Sequence, residues 1–253
     1  MSVLTGESSH DSISAMRLHR TMLHSIGADV ITGVLKPGAK LHKEVELAKE
    51  YDMSRGAARE GIRALEERGL IAVKHGSGAV VAPREDWDLF DADVMTIVLE
   101  GPGAAQALGD YLECRRIIEV EVAGLAAERI TPESAALVTE RLAAMEVAVG
   151  DRRPSAEDAF HEADVAFHES LAAATGNLAL GTLARRVHAA LLAARYPLAR
   201  PAYRRERAMP EHQAIHDAVV AGRPKAARAA MAAHLETVQQ YLEQHARSLA
   251  RRR

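Results

Sequence analysis

Apolar positions recur at three- and four-residue steps over most of this 253-residue chain, and one place only carries a convincing strand signal. Near the N-terminus, Ile26, Val30 and Ile31 mark a short helix that Lys36-Pro37-Gly38 closes. Val45, Leu47 and Ala48 place a second helix over 44–50, and Tyr51-Asp52-Met53 forms a tight connection. Ser54 offers its hydroxyl to the free amides of a third helix, on which Ala58, Ile62 and Leu65 share one face. Two β-branched runs, 71–74 and 79–82, flank His75-Gly76-Ser77-Gly78 and predict a small hairpin. Residues 83–102 open on Pro83 and an acidic stretch and end at a Gly-Pro-Gly break, which reads as a linker with one or two short helical pieces. From 104 to about 249 the spacing is helical throughout, carried by Leu112, Ile117, Ile118, Val122, Leu125 and Ala126, then by Leu171, Leu178, Leu183 and Val187. Six or seven helices packed as a bundle account for that pattern.

Composition narrows the classes. At 48% hydrophobic and 26% charged the chain is an ordinary globular one. No run approaches the ~20 apolar residues of a membrane span, and residues 1–30 carry Glu7, Asp11, His19 and Arg20 where a secretory signal would be apolar. A single cysteine, Cys114, excludes a disulfide framework and a multi-cysteine zinc site, so the expected setting is cytoplasmic, without a membrane partner. The net charge of −3 hides an asymmetry: −2 over 1–14, +3 over 15–82 (11 basic against 8 acidic), and −4 over 83–253 (21 against 25). A mildly basic head on an acidic body is the distribution of a DNA-binding module attached to a part with other work.

The third helix carries that chemistry. Arg55, Arg59 and Arg63 step by four along a face adjoining the apolar one, where guanidinium groups reach phosphate oxygens or pair with guanine. Each arginine taken alone is equally readable as part of a solvated face. The order of helix, Pro-Gly turn, helix, capped arginine-rich helix and hairpin is that of a winged helix-turn-helix, with Lys74 and His75 at the wing tip. The stretches 33–41, Glu46-Leu47-Ala48, Ser54-Arg55, Ala58-Arg59-Glu60 and 65–71 resemble the winged-helix domain of GntR-family bacterial transcription regulators. By that resemblance Arg55, Arg59, His75 and Gly76 are DNA contacts, joined by Ser54, Arg63 and Lys74 from their positions. Val45 stands where many members carry an arginine, and Gly61 where alanine is usual.

Seven of the 12 histidines follow residue 160. Asp164 and His168 are four apart, on one helical face, while His212 and His234 belong to two later helices. One carboxylate and three imidazoles suit zinc, nickel or a similar cation. Spacing alone leaves open a simple Asp–His ion pair, and leaves His161 and His216 as rival ligands. The pieces 115–119, 164–168, 174–177, 211–215 and 231–235 resemble the FCD ligand-binding domain of the FadR branch of the same family. That resemblance implies Asp164, His168, His212 and His234 as metal ligands, with zinc first and nickel second, and leaves His161 and His216 outside. It also suggests Arg115 and Asn177 as contacts to a carboxylate effector, although an internal ion pair with a core acid serves Arg115 equally well. The stretch 87–94 resembles the linker of regulators of sugar-acid catabolism, so an aldonate or other hydroxy acid is the favoured effector.

The resulting expectation is a mainly α chain with no catalytic residues. An unstructured tail (1–14) precedes a winged helix-turn-helix with a small β-hairpin wing (15–82), a linker (83–102), an all-helical effector domain (103–247) and a basic tail (248–253). It would act as a homodimeric regulator, a repressor first, on double-stranded operator DNA. The alternatives are a metal-dependent, hydrolase-like enzyme and a metal-free regulator responding to acyl-CoA.

Overall fold

A computed structural model describes residues 8–74, 78–151, 153, 156–193 and 204–250. The chain divides into two compact units, Met1–Ala104 and Ala105–Arg253.

The first unit holds α1 (Ser8–Ile31), α2 (Glu44–Glu50), α3 (Arg55–Glu67), β1 (Ile71–Lys74), β2 (Gly78–Val81), a 3-10 turn over Arg84–Asp86, and α4 (Ala92–Glu100). Met22, Leu23, Ile26 and Val30 repeat at helical spacing and are buried, so α1 is a long helix rather than the short one expected, and it begins inside the segment read as an unstructured tail. Asp52, at φ 50, turns the chain between α2 and α3, a conformation that its short polar side chain tolerates. Ala58, Ile62 and Leu65 are buried as predicted, together with Gly61 and Ala64, and α3 packs on both α1 and α2. At its end Gly69 takes φ +71. There Gly69 N–H donates to Glu66 O (2.9 Å) and Leu70 N–H to Leu65 O (3.0 Å), the two bonds of a Schellman closure.

β1 and β2 pair antiparallel, Ile71 opposite Val81 and Lys74 opposite Gly78. The segment after α1 adds to this ladder: Lys40 bridges Val80, Leu41 N–H donates to Ala79 O, and Gly38 N–H donates to Val81 O. The Pro-Gly turn is thus a third rung of the wing, and Val73 N–H donating to Glu66 Oε1 (3.0 Å) ties the wing to α3.

The stretch expected as a linker is part of this unit. Val94, Met95, Ile97, Val98 and Leu99 are buried and α4 packs against α1, because five apolar residues in six positions are too costly to leave in water. Asp91 caps α4 by accepting from Asp93 N–H and Val94 N–H, and Arg68 at the end of α3 donates to both Asp91 (3.0 Å) and Asp93 (2.7 Å).

The second unit is all helical among the described residues: α5 (Ala104–Arg129), α6 (Pro132–Gly150), α7 (Ala156–Ala174), α8 (Leu178–Ala193), α9 (Arg204–Val220) and α10 (Pro224–Ala250). Six helices meet the expected number, and α10 extends into the segment read as a basic tail. Thr131 and Pro132 start α6 in the favoured cap and N1 positions. The core gathers Val122, Leu142, Met145, Phe167, Leu171, Ile215, Met231 and Leu235 from five of the helices. Ile117, Leu178 and Leu183, which the apolar spacing placed inside, are exposed, Leu178 at 89%. Helical spacing groups residues on a face without saying which face turns inward.

Candidate functional site

In the first unit the capped helix α3 presents its polar face. Ser54 Oγ accepts from Ala57 N–H at 3.1 Å, so the hydroxyl stabilises the helix start. Arg55, Arg59 and Arg63 are exposed on α3, and Lys74 is exposed at the end of β1. Arg63 Nε donates to Glu67 Oε1 at 3.0 Å, which leaves Arg55 and Arg59 as the α3 arginines with no such pairing among the described residues. His75 and Gly76 lie outside the described residues.

The second unit brings Asp164 and His168 from α7, His212 from α9 and His234 from α10 into one cluster. The ring centroid of His168 lies 5.4 Å from that of His212 and 5.5 Å from that of His234, and the last two are 4.5 Å apart. One potential ligand atom from each of the three histidines lies within 4.8 Å of the others, and all three side chains are buried. Phe167 packs edge-on to both His168 and His212, so the apolar core forms one wall of the cluster.

The hydrogen bonds decide which nitrogen each ring has to offer. His212 Nδ1 donates to the carbonyl of Ala208 at 2.8 Å; a carbonyl only accepts, so the proton is on Nδ1. His234 Nδ1 donates to Glu211 Oε2 at 2.8 Å. His168 Nδ1 lies 2.8 Å from Glu119 Oε2. In each ring Nδ1 lies 2.8 Å from an oxygen outside the cluster, and Nε2 is the nitrogen turned to other partners. His212 Nε2 lies 2.9 Å from Asp164 Oδ1 at 0% exposure. A lone-pair nitrogen and a carboxylate at that distance require a cation between them, either a proton or a metal ion. His212 Nε2 and both nitrogens of His168 are buried without a hydrogen-bond partner. This donor set of three imidazoles and one carboxylate, with its Nδ1 positions supported from outside, fits a divalent cation such as zinc.

The electrostatics agree. Burial raises the Asp164 carboxyl, but the contact with His212 overcomes it and holds it well below the usual carboxylate range. Burial, and the neighbouring His212 and His168, push His234 well below its ordinary value. His168 is also lowered, by burial first, against the pull of Glu119. These directions favour neutral His168 and His234 beside an ionised Asp164, the forms in which such groups ligate a metal.

Arg115 takes the internal alternative: its Nε donates to Glu119, and both side chains are buried on α5. Asn177 does not join the cluster. It is exposed at the start of α8, where its Oδ1 accepts from Leu180 N–H at 3.1 Å and caps the helix. His216 is bonded to Thr139 (2.8 Å) and Asp217 (3.0 Å), apart from the cluster's hydrogen bonds. Sequence reasoning missed three neighbours: Glu119, Glu211 and His188, the last buried with Nε2 at 2.9 Å from Glu119 Oε1. Glu119 follows Arg115 by four and Glu211 precedes His212, so both had a local signal; His188 had none.

No described helix is long and apolar enough to cross a membrane. Residues 19–81 match the family described as Bacterial regulatory proteins, gntR family, and residues 110–237 match the FCD domain. The chain is 34% identical over 170 residues to the galactonate operon transcriptional repressor of Escherichia coli, covering 66% of this chain and 72% of that one. It is 32% identical to the HTH-type transcriptional regulator LutR of Bacillus subtilis, over 83% of this chain and 94% of that one. The solved structure of Lar, which controls expression of the Listeria monocytogenes agr system, shares the fold with a TM-score of 0.62 at 17% identity, over 89% of this chain and 96% of that one. The matched families and these two relatives are transcription regulators, and the winged head and helical body lie where the two families place them. The chain therefore belongs to the GntR family of bacterial regulatory proteins, as a transcriptional regulator of the GntR/FCD type.

Proposed function

We propose that this regulator is a homodimeric repressor whose grip on operator DNA responds to a small hydroxy carboxylate, a sugar acid such as an aldonate first, at a divalent metal site in its second unit. Asp164, His168, His212 and His234 would hold the ion, zinc before nickel. The observation that carries the reading is the convergence of one potential ligand atom from each of three buried histidines within 4.8 Å of one another, with Asp164 Oδ1 2.9 Å from His212 Nε2. The bound ion would supply a Lewis-acidic docking point for the effector's carboxylate. Arg115, fixed by Glu119, adds a positive charge near it. Similarity to the galactonate operon repressor supports the effector class.

In the first unit, Ser54, Arg55, Arg59 and Lys74 would contact DNA, with His75 and Gly76 of the wing. Arg63 would contribute less, being paired with Glu67. A dimer reading two half-sites ~34–36 Å apart requires a pseudo-palindromic operator.

The test is a fluorescence titration of a duplex selected from a random library. Zinc plus galactonate should change its affinity by about 5–150-fold. The variant His212→Ala should still bind the duplex while losing both zinc and the response. A full panel of hydroxy acids that leaves the affinity unchanged refutes the proposal.

A further inference from the structure

Glu119 is a buried carboxylate, 2% exposed, with one donor and two imidazole nitrogens close to its two oxygens. Arg115 Nε donates to Oε1, His188 Nε2 lies 2.9 Å from the same oxygen, and His168 Nδ1 lies 2.8 Å from Oε2. One arginine suffices to neutralise it, so the approach of two imidazoles calls for another reason. At His168 the contact has a chemical consequence. A neutral imidazole carries one N–H, and a carboxylate facing Nδ1 at 2.8 Å draws that proton to Nδ1. The lone pair is then on Nε2, the nitrogen away from Glu119, in the ring that neighbours His212 and His234. The opposite tautomer would set a lone pair against the carboxylate and present an N–H where a ligand is needed.

We propose that Glu119 is the positioning residue of the metal pocket, selecting Nε2 of His168 as the ligating atom; this rests on the metal reading above. Glu119, His168 and His188 also form a group within ligand-atom range of one another. They are a support rather than a second cation site, because the charge of Arg115 already occupies the Glu119 oxygen that His188 faces. Replacing Glu119 by glutamine makes the point testable through geometry. The Arg115 donor keeps the amide oxygen at the Oε1 position, so the NH2 group falls opposite His168 Nδ1 and favours the wrong tautomer.

The first measurement is nitrogen NMR of zinc-free, histidine-labelled wild-type protein. His168 should show a protonated Nδ1 and an unprotonated Nε2, and the reverse pattern overturns the proposal. The second is zinc affinity by competition with a chromophoric chelator. Glu119→Gln should bind zinc 10–100-fold more weakly, still one ion per chain at saturation, with its His168 tautomer inverted. Unchanged affinity with a lowered melting temperature makes Glu119 a structural ion-pair residue and overturns its positioning role alone. Wild-type protein that takes up no zinc overturns the metal reading, and this inference with it.

Discussion

The substitution Gly69→Ala separates two costs that usually travel together. Gly69 is at φ +71, and a Cβ built there would stand 1.9 Å from Asp86 O, 2.8 Å from Asp86 C and 3.3 Å from Trp87 Cα. All three neighbours are backbone, so no side chain can swing away. The left-handed conformation costs an alanine about 1–2 kcal/mol, and displacing the 3-10 turn by about an ångström adds about 1–3 kcal/mol, the usual range for overpacking. Gly38 is the matched control: its φ is +83 and a Cβ there meets nothing within 4 Å, so Gly38→Ala should show only the conformational part. Trp87 is the chain's one tryptophan and belongs to the affected segment, which makes its fluorescence a local reporter in urea unfolding. The expected result is a loss about 1–3 kcal/mol greater for Gly69→Ala than for Gly38→Ala, with weaker operator binding because the Schellman closure aims β1 away from α3. Equal losses for the two variants would refute the steric argument.

Three further outcomes follow from the same geometry. Arg59→Ala should weaken binding to all duplexes and lower the salt slope by about one counterion, measured by titration at several salt concentrations, whereas Arg63→Ala should do less, its guanidinium being shared with Glu67. Arg68→Ala removes charged hydrogen bonds to Asp91 and Asp93 at about a quarter exposure or less, and should destabilise the first unit by about 1–3 kcal/mol in urea, with little relief from added salt. His168 and His234 are lowered from 6.5 in the folded protein, so the unfolded chain binds more protons below that value. Zinc-free protein should therefore keep its full stability above about pH 6.5 and lose it as the pH falls towards 5, and a melting temperature flat across that window would contradict the burial argument.

Much of the first unit was legible because its signals are local. Ser54 precedes the helix it caps, Ala58, Ile62 and Leu65 mark the inward face, and the hairpin runs bracket their own turn. For 83–102 the reading stopped at a linker with one or two short helical pieces, because the apolar run of α4 follows an acidic stretch that resembles a spacer; it lacked α1, some 70 residues earlier, on which α4 packs. The ligand set was legible partly through the four-residue step from Asp164 to His168 and partly through family resemblance. Glu119 was legible only as the residue four after Arg115 and His188 not at all, since what matters about them is their meeting across α5 and α8.

The cluster of His168, His212 and His234 is walled by Phe167 and lies within the hydrophobic packing of the bundle. The Asp164 side chain, by contrast, is 20% exposed, so the acid stands at the edge of the cluster and the imidazoles behind it. An arriving cation would meet the carboxylate before the rings, which makes the acid the group that governs capture and the buried imidazoles the groups that govern retention.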